Sequence, residues 1–418
     1  MSREMHPEFG ISQHIFQGAG CISKLSEIIR YENWKRILLI CGPTLYKSDV
    51  VKTVIDGITE AGATFKVFTN VRPNPEVETI EREAIPMAIS CNADAIVAIG
   101  GGSTLDTAKG TAAVGKSGRH VLDFMIGKMK TNEHLEHETL PIVAIPTTAG
   151  TGSEVCNKAV VSDGSGIKQV LAHNSILPVY ALLDPEMLRT LPFGVAAATA
   201  MDTFVQALET LTNRNAHDFT HTQSLRSLEL VGRSIRQFVA NPADSEPANN
   251  MSLACMYAGF SLGLANIGQD HIITHPMSES PFYMPHGDAC AMVLPAVIEY
   301  NGLACKDLYN KAYNALTGKH VQLHRFEVQQ LIDWVVELNS DLHIADDRSF
   351  ADWGFNDETL EIMLNHPIIQ GSVKNNSQAD ITEHPRLTNI DDYCAIIKRV
   401  AIYSEAQAEG AKMRQMRV

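Results

Sequence analysis

Hydrophobic positions fall along this chain in two textures. Through the first 190 residues, short apolar runs alternate with stretches of helical period. "RILLICG" (36–42), "AIVAIGGGS" (95–103) and "LPIVAIPTTAG" (140–150) are continuous and rich in β-branched residues, and "YALLDP" (180–185) is a shorter run of the same kind. Between them "KSDVVKTVIDGITEAG" and "VETIEREAIPMAISCN" place apolar residues at helical spacing. Strand–helix alternation of this kind predicts a largely parallel sheet with helices on both faces.

After "DPEMLRTLP" (184–192) the texture changes. Alanine- and leucine-rich helical patterns follow, among them "AAATAMDTFVQALETL", "SLRSLELVGRSIRQFV" and "MSLACMYAGFSLGLA", with no clear strand. The expected organisation is an α/β domain over residues 1–190 and an all-α domain over residues 191–418. "ADDRSFADWG" (345–354) reads as an exposed loop.

Charge narrows the range of partners. The 418 residues carry 34 basic and 48 acidic side chains, a formal net charge of −14. Such a chain repels phosphate backbones and anionic lipid, which argues against nucleic acid and membrane surfaces as partners. No basic, apolar leader and no unbroken apolar stretch of about 18 residues is evident, so a cytoplasmic protein is expected. The eight cysteines are scattered without a CxxC pair. That pattern reads as reduced thiols rather than a disulfide framework or a cysteine zinc site.

Two loops and one group of side chains carry candidate chemistry. "GGGSTLDTAKG" (100–110) follows a strand and opens a helix, where glycines admit an anion to free N–H groups at the positive end of the helix dipole. It is not the GxGxxG fingerprint, and alone it is weak. "PTTAGTGSEV" (146–155) is a second small-residue loop after a strand, with four hydroxyls for phosphate or ribose. Two such loops at the carboxyl ends of neighbouring strands mark a nucleotide crevice far better than either does alone. Further on, "MDTFVQALE" places Asp202 and Gln206 four apart on a helix, "HIITHP" supplies His271 and His275, and "PHGD" supplies His286. Any single histidine is more often an ordinary core or surface residue. A carboxylate with two or three imidazoles, however, suits zinc or iron(II) with a position left open for a substrate oxygen.

Taken together these stretches resemble the iron-containing (group III) alcohol dehydrogenase family. The likeness runs from "FGISQHIFQGAGCISKL" through "GGGSTLDTAKG", "PTTAGTGSEV", "ILPVYALLDPEMLRTLP" and "AMDTFVQALE" to "HPMSESPFYMPHGDACAMVLPAVIEYN" and "HPRLTNIDDYCAII". It implies a Rossmann-like, parallel-sheet dinucleotide-binding domain followed by an all-helical metal-binding domain. By that resemblance Gly101, Gly102, Ser103 and Asp106 lie on the pyrophosphate or nicotinamide side of the cofactor. Thr147, Thr148 and Thr151 line its other flank, and Lys168 reaches into the same cleft. Asp202, His271 and His286 match metal ligands, and His275 matches a histidine implicated in proton relay. Gln206 stands where the family has a further histidine, either as a weak fourth ligand or turned away. Ala200 replaces a family glycine. The segment after Asn266 is about two residues short, which turns a helix by roughly 200° and requires a break there. That makes His271 the least secure match and Asp270 its possible substitute.

The implied activity is an NAD(P)-dependent, metal-assisted alcohol dehydrogenase or aldehyde reductase acting on a small alcohol or aldehyde, an anionic one included. Its metal is Fe2+ by family, with Zn2+ or Mn2+ as alternatives. Gly42 matches a position often held by an aspartate that repels a 2′-phosphate, so NADP(H) is expected beside or ahead of NAD(H). The alternating "FGISQHIFQG" is read as a strand that pairs across a two-fold, giving a homodimer. Two rivals keep related folds: a metal-independent reductase like maleylacetate reductase, and a lyase of the dehydroquinate synthase fold.

Overall fold

A computed structural model describes residues 13–130, 133, 135, 139–344, 348–376 and 383–415. The strands are β1 (His14–Gln17), β2 (Arg36–Cys41), β3 (Thr64–Phe68), β4 (Ala95–Gly100), β5 (Ile142–Pro146), β6 (Lys158–Ser162), β7 (Lys168–Ala172) and β8 (Tyr180–Leu183). Six of them form one sheet in the order β1-β8-β5-β4-β2-β3, with every neighbouring pair parallel. β6 and β7 make a separate antiparallel hairpin.

The continuous apolar runs are explained by burial on both faces. Ile37, Leu39, Val97, Ile99, Val143 and Ile145 point toward Leu25 and Ile29 of α1 (Lys24–Tyr31) and Val51 and Val54 of α2 (Asp49–Glu60). The alternate positions Leu38, Ile40, Ile96, Ala98 and Ala144 point the other way. There they meet a helical run made of α3 (Val77–Thr79), a π turn (Ile80–Ala84) and α4 (Ile85–Ser90), together with Leu105, Ala108 and Ala112 of α5 (Gly102–Val114). The connection from β3 to β4 crosses back over β2, so the sheet changes direction between β2 and β4. That switch point is where open α/β sheets bind ligands.

Among the described residues, helices alone follow β8: α6 (Phe193–Thr212), α7 (Asp218–Ala240), α8 (Ser245–Ala265), α9 (Gln269–Met277), α10 (His286–Thr317), α11 (Val328–Asp341), α12 (Asp357–Leu364), α13 (Pro367–Asn376) and α14 (Ile390–Gln415). The chain divides into two compact units, Gly10–Leu191 with Pro242–Gly259, and Pro192–Asn241 with Phe260–Val418. The first part of α8 thus packs with the sheet-bearing unit rather than with the helices around it in sequence. No single described helix is long and apolar enough to cross a membrane.

The break required after Asn266 is present. α8 stops at Ala265, Asn266 takes a left-handed conformation with φ 67°, and α9 leaves at 102° to α8. Asparagine tolerates that conformation better than most residues. One loop expectation is corrected. Of 345–354, residues 345–347 lie outside the described set, but Phe350 is fully buried and stacks on Phe355 at 4.3 Å. Its amide donates to Ser404 Oγ at 2.9 Å. Polar neighbours in sequence had hidden a core anchor.

The middle of α8 meets the loop after β5 backbone to backbone. Gly152 has φ 62°, and its N–H donates to Cys255 Sγ at 3.2 Å. A Cβ on Gly259 would lie 2.7 Å from the Gly152 carbonyl oxygen, whereas one on Gly263 in the same helix would meet nothing within 4 Å. Gly259→Ala is therefore expected to cost about 1–3 kcal/mol of stability through overpacking. Gly263→Ala should be neutral or stabilising by up to about 1 kcal/mol. Paired thermal melts check this, and equal midpoints for the two variants would contradict the contact.

Candidate metal centre and nucleotide rim

The carboxyl ends of β2, β4 and β5 lie side by side, with Cys41 opposite Ile99 and Gly100 opposite Pro146. That register sets Gly42, Gly101 and Thr147 along one rim. Gly101 occupies the N-cap of α5, where no side chain caps the free amides, and Thr104 N–H bonds back to the Gly101 carbonyl at 3.0 Å. The glycines are needed for room: a Cβ on Gly101 would lie 3.1 Å from Thr148 Oγ1, and one on Gly102 2.5 Å from Thr151 Cγ2. The two loops thus interlock, threonine against glycine. Gly42 is half-buried with open space where a side chain would stand. Ser103 sits half-buried in the first turn of α5, and Lys168 begins β7 opposite Ser162.

Asp106 is turned inward. It is buried, with Oδ1 accepting from Ser153 Oγ at 2.8 Å and Oδ2 from Val160 N–H at 3.0 Å. Burial raises its carboxyl above the usual range, against the pull of Lys109. Lys109, one turn on, is fully buried and donates to Ser153 Oγ, the Cys156 carbonyl and the Lys158 carbonyl at 2.8, 2.7 and 2.6 Å. The "LDTAK" pair therefore ties α5 to the 153–160 segment. Both Asp106 and Ser153, a hydroxyl expected to serve phosphate, are spent on that tie. Thr147, Thr148 and Thr151 keep their places on the rim.

In the helical unit, α6 carries Asp202, Gln206 and Glu209 on one face at positions i, i+4 and i+7. All three are buried. Asp202 Oδ1 gathers its neighbours: Gln206 Nε2 at 2.9 Å, His271 Nε2 at 3.3 Å and His286 Nε2 at 3.9 Å. Cys290, one turn beyond His286 on α10, places Sγ 3.7 Å from His286 Nε2. One donor atom each from Asp202, His271, His286 and Cys290 lies within 4.8 Å of all the others. His275 is buried one turn after His271, its ring 6.0 Å from that of His286. Gln206 is buried beside them, and its Oε1 has no hydrogen-bond partner among the described residues. Its amide nitrogen faces Asp202, since a carbonyl oxygen there would repel the carboxylate, while an N–H forms a charge-assisted hydrogen bond.

Glycines admit the second and third ligand elements. Gly268 caps α9, and a Cβ there would lie 2.7 Å from Glu209 Oε1. Glu209 is thereby free to accept from Asp270 N–H at 2.6 Å and to contact His271 Nδ1 at 2.6 Å. At the head of α10, a Cβ on Gly287 would overlap the Ala198 carbonyl of α6. His286 is thus held against the helix that carries Asp202. Asp270 is buried beside Glu209 but is not one of the converging donors, and burial with the charge of Glu209 raises its carboxyl well above the usual range.

Charge fits a cation. Burial opposes ionisation of Asp202, but the hydrogen bond from His271 and the charge of His286 hold its carboxyl below the usual range. Burial would lower His271 too; Glu209 and Asp202 overcome this and raise it to about 10. Three buried carboxyls thus surround one imidazolium, and oxygen, imidazole nitrogen and sulfur donors converge where a divalent ion would replace its proton. The donor set fits zinc or iron(II).

Comparison with known proteins decides the family. The family model "Iron-containing alcohol dehydrogenase" matches residues 12–185, and "Fe-containing alcohol dehydrogenase family, C-terminal" matches residues 196–399. The chain belongs to the iron-containing alcohol dehydrogenase family. It is 29% identical over 354 residues to Long-chain-alcohol dehydrogenase 1 of Geobacillus thermodenitrificans, covering 84% of this chain and 88% of that one. It is 30% identical over 287 residues to lactaldehyde reductase of Escherichia coli, covering 68% and 73%. A crystal structure of 1,3-propanediol oxidoreductase superposes with a TM-score of 0.85 at 26% identity, covering 95% of this chain and 100% of the other. The protein is an enzyme, an alcohol dehydrogenase, and its family implies a nicotinamide nucleotide and a metal.

In this iron-containing alcohol dehydrogenase Glu209 and Lys109 went unread in the sequence, and Cys290 was read only as one of eight scattered reduced thiols, although each stands at helical spacing from a residue read for the site. A metal must displace the His271 proton, so metal uptake should release protons and tighten as pH rises toward 10, the value to which Glu209 and Asp202 lift that histidine. Glu209→Gln removes the largest favourable charge on His271, so the same tightening should level off at lower pH. Calorimetric titrations at several pH values check this. An affinity that falls with rising pH, or an unchanged profile in the variant, would contradict the arrangement.

Proposed function

We propose that the protein is an NAD(P)-dependent, metal-assisted alcohol dehydrogenase working as an aldehyde reductase on a small uncharged substrate. The convergence of Asp202, His271 and His286 on one point carries this reading. When bound, a divalent metal supplies Lewis-acid polarisation of a carbonyl oxygen and the nicotinamide supplies hydride to its carbon. Asp202, His271 and His286 would hold the metal, with iron, zinc and manganese the candidate ions. Gln206 fixes the Asp202 carboxylate, and Glu209 fixes the His271 ring and its tautomer. The His286 side chain is 31% exposed against 5% for Asp202 and for His271, which makes it the open side of the cluster. His275 passes a proton between the substrate oxygen and solvent. The buried acids of the cluster, Asp202, Glu209 and Asp270, outnumber its one imidazolium, so uncharged aldehydes suit it better than the anionic substrate considered from sequence.

On the rim, Gly101, Gly102 and Ser103 present the uncapped start of α5 to a pyrophosphate, and Thr147, Thr148 and Thr151 flank it. Gly42 leaves space beside the second strand for a 2′-phosphate, which supports use of NADP(H). β1 is an edge strand of the sheet, and a homodimer through that edge, in the cytoplasm, completes the reading.

A screen of small aldehydes with NADPH and NADH, repeated with iron, zinc or manganese, tests it. Asp202→Ala and His286→Ala should lose metal-dependent turnover while still binding nucleotide. Turnover that survives both exhaustive chelation and Asp202→Ala would instead favour a metal-independent reductase. For the nucleotide, Gly42→Asp should shift kcat/KM toward NADH by about tenfold or more, the effect of one charge repulsion of about 1.4 kcal/mol. A wild type that uses only NADH would contradict the Gly42 argument, and a monomer in light scattering at micromolar concentration would contradict the dimer.

A further inference from the structure

We infer that Cys290 is a fourth protein ligand of the metal, binding by its thiolate beside Asp202, His271 and His286. This rests on the proposal that the Asp202 cluster holds a metal, and it goes beyond it in naming a sulfur donor and the class of ion such a donor selects.

Three observations carry the assignment. Gln206 points its nitrogen at Asp202, so the end of the amide nearest that ligand is a donor rather than a metal-binding oxygen. Cys290 follows His286 by four residues on α10 and so shares its face; both donor atoms join the same group. The spacings also suit a shared ion. With metal–sulfur bonds near 2.3 Å and metal–nitrogen or –oxygen bonds near 2.0 Å, a tetrahedron has edges of about 3.6 Å between sulfur and nitrogen and about 3.3 Å between nitrogen and oxygen. The structure has Cys290 Sγ 3.7 Å from His286 Nε2, and His271 Nε2 and His286 Nε2 at 3.3 and 3.9 Å from Asp202 Oδ1. Cys290 is fully buried, and Thr274 Oγ1, at 3.7 Å, holds its sulfur in place.

A thiolate is a soft donor, and it favours zinc over manganese and magnesium. Four protein ligands would also make a tighter cage than three, and the exposed side of His286 would be the side left for a substrate oxygen.

Cobalt(II) substitution reads the ligand directly. Wild-type protein loaded with one equivalent of cobalt should show an intense near-ultraviolet sulfur-to-cobalt charge-transfer band. The band should vanish in Cys290→Ser and Cys290→Ala and persist in Cys305→Ser, a buried cysteine elsewhere on α10. Competition titrations should show Cys290→Ser losing zinc affinity by about tenfold or more relative to manganese. One bound cobalt without that band in the wild type would overturn the assignment of Cys290 and leave the metal reading intact. Wild-type protein that binds no cobalt at all would overturn both. The wild-type spectrum needs no variant to fold.

Discussion

A carboxylate buried among helices must find positive partners, and much of the helical unit is arranged around that requirement at Asp202. Burial alone would protonate it; one amide N–H and two imidazoles keep it ionised. The sharp turn at Asn266 aims α9 so that His271 reaches it, and Gly268 lets Glu209 come close enough to hold His271 from behind. Gly287 lets α10 lie against the α6 backbone and so places His286. Each device costs something locally, in a left-handed asparagine or in glycines inside helical segments. Each is accounted for by one point of convergence.

The sheet unit solves a different problem with the same economy of atoms. On its rim the start of α5 has no side-chain cap, and the polar residues nearest it are turned inward. Asp106, Lys109 and Ser153 satisfy one another and the backbone carbonyls of Cys156 and Lys158. A buried charged network of this kind is stabilising only when every member is satisfied. Meeting that condition fixes the segment that follows the threonine loop, and it leaves the amides of Gly102 and Ser103 at an uncapped helix start.

Much of this was legible from the order of residues. Continuous apolar runs announced β2, β4, β5 and β8, because strands covered on both faces have no polar side to interrupt them. The shortfall after Asn266 announced the break in the helix, since a two-residue deletion cannot be absorbed without turning every later side chain. The hairpin of β6 and β7 was missed. It is half polar and lies off the main sheet, although "DGSG" between its strands is turn chemistry. Phe350 was hidden by charged neighbours. Gln206 was read as a ligand or a bystander, because sequence gives the spacing of an amide but not which of its ends faces the carboxylate. Glu209 was passed over, and Cys290 was counted only among the scattered thiols. Glu209 is an ordinary helix residue until α9 brings His271 to it, which is a tertiary fact; Cys290 stands four residues after His286 on α10, a spacing the sequence does carry.

The account stands on one ion among those donors. A crystal of protein purified without chelator, measured on both sides of the iron, zinc and manganese absorption edges, addresses it most directly. A single anomalous peak within bonding distance of Asp202, His271 and His286 is the predicted result. A catalytically active crystal with no anomalous density at that point, and none after soaking in each metal, would contradict it.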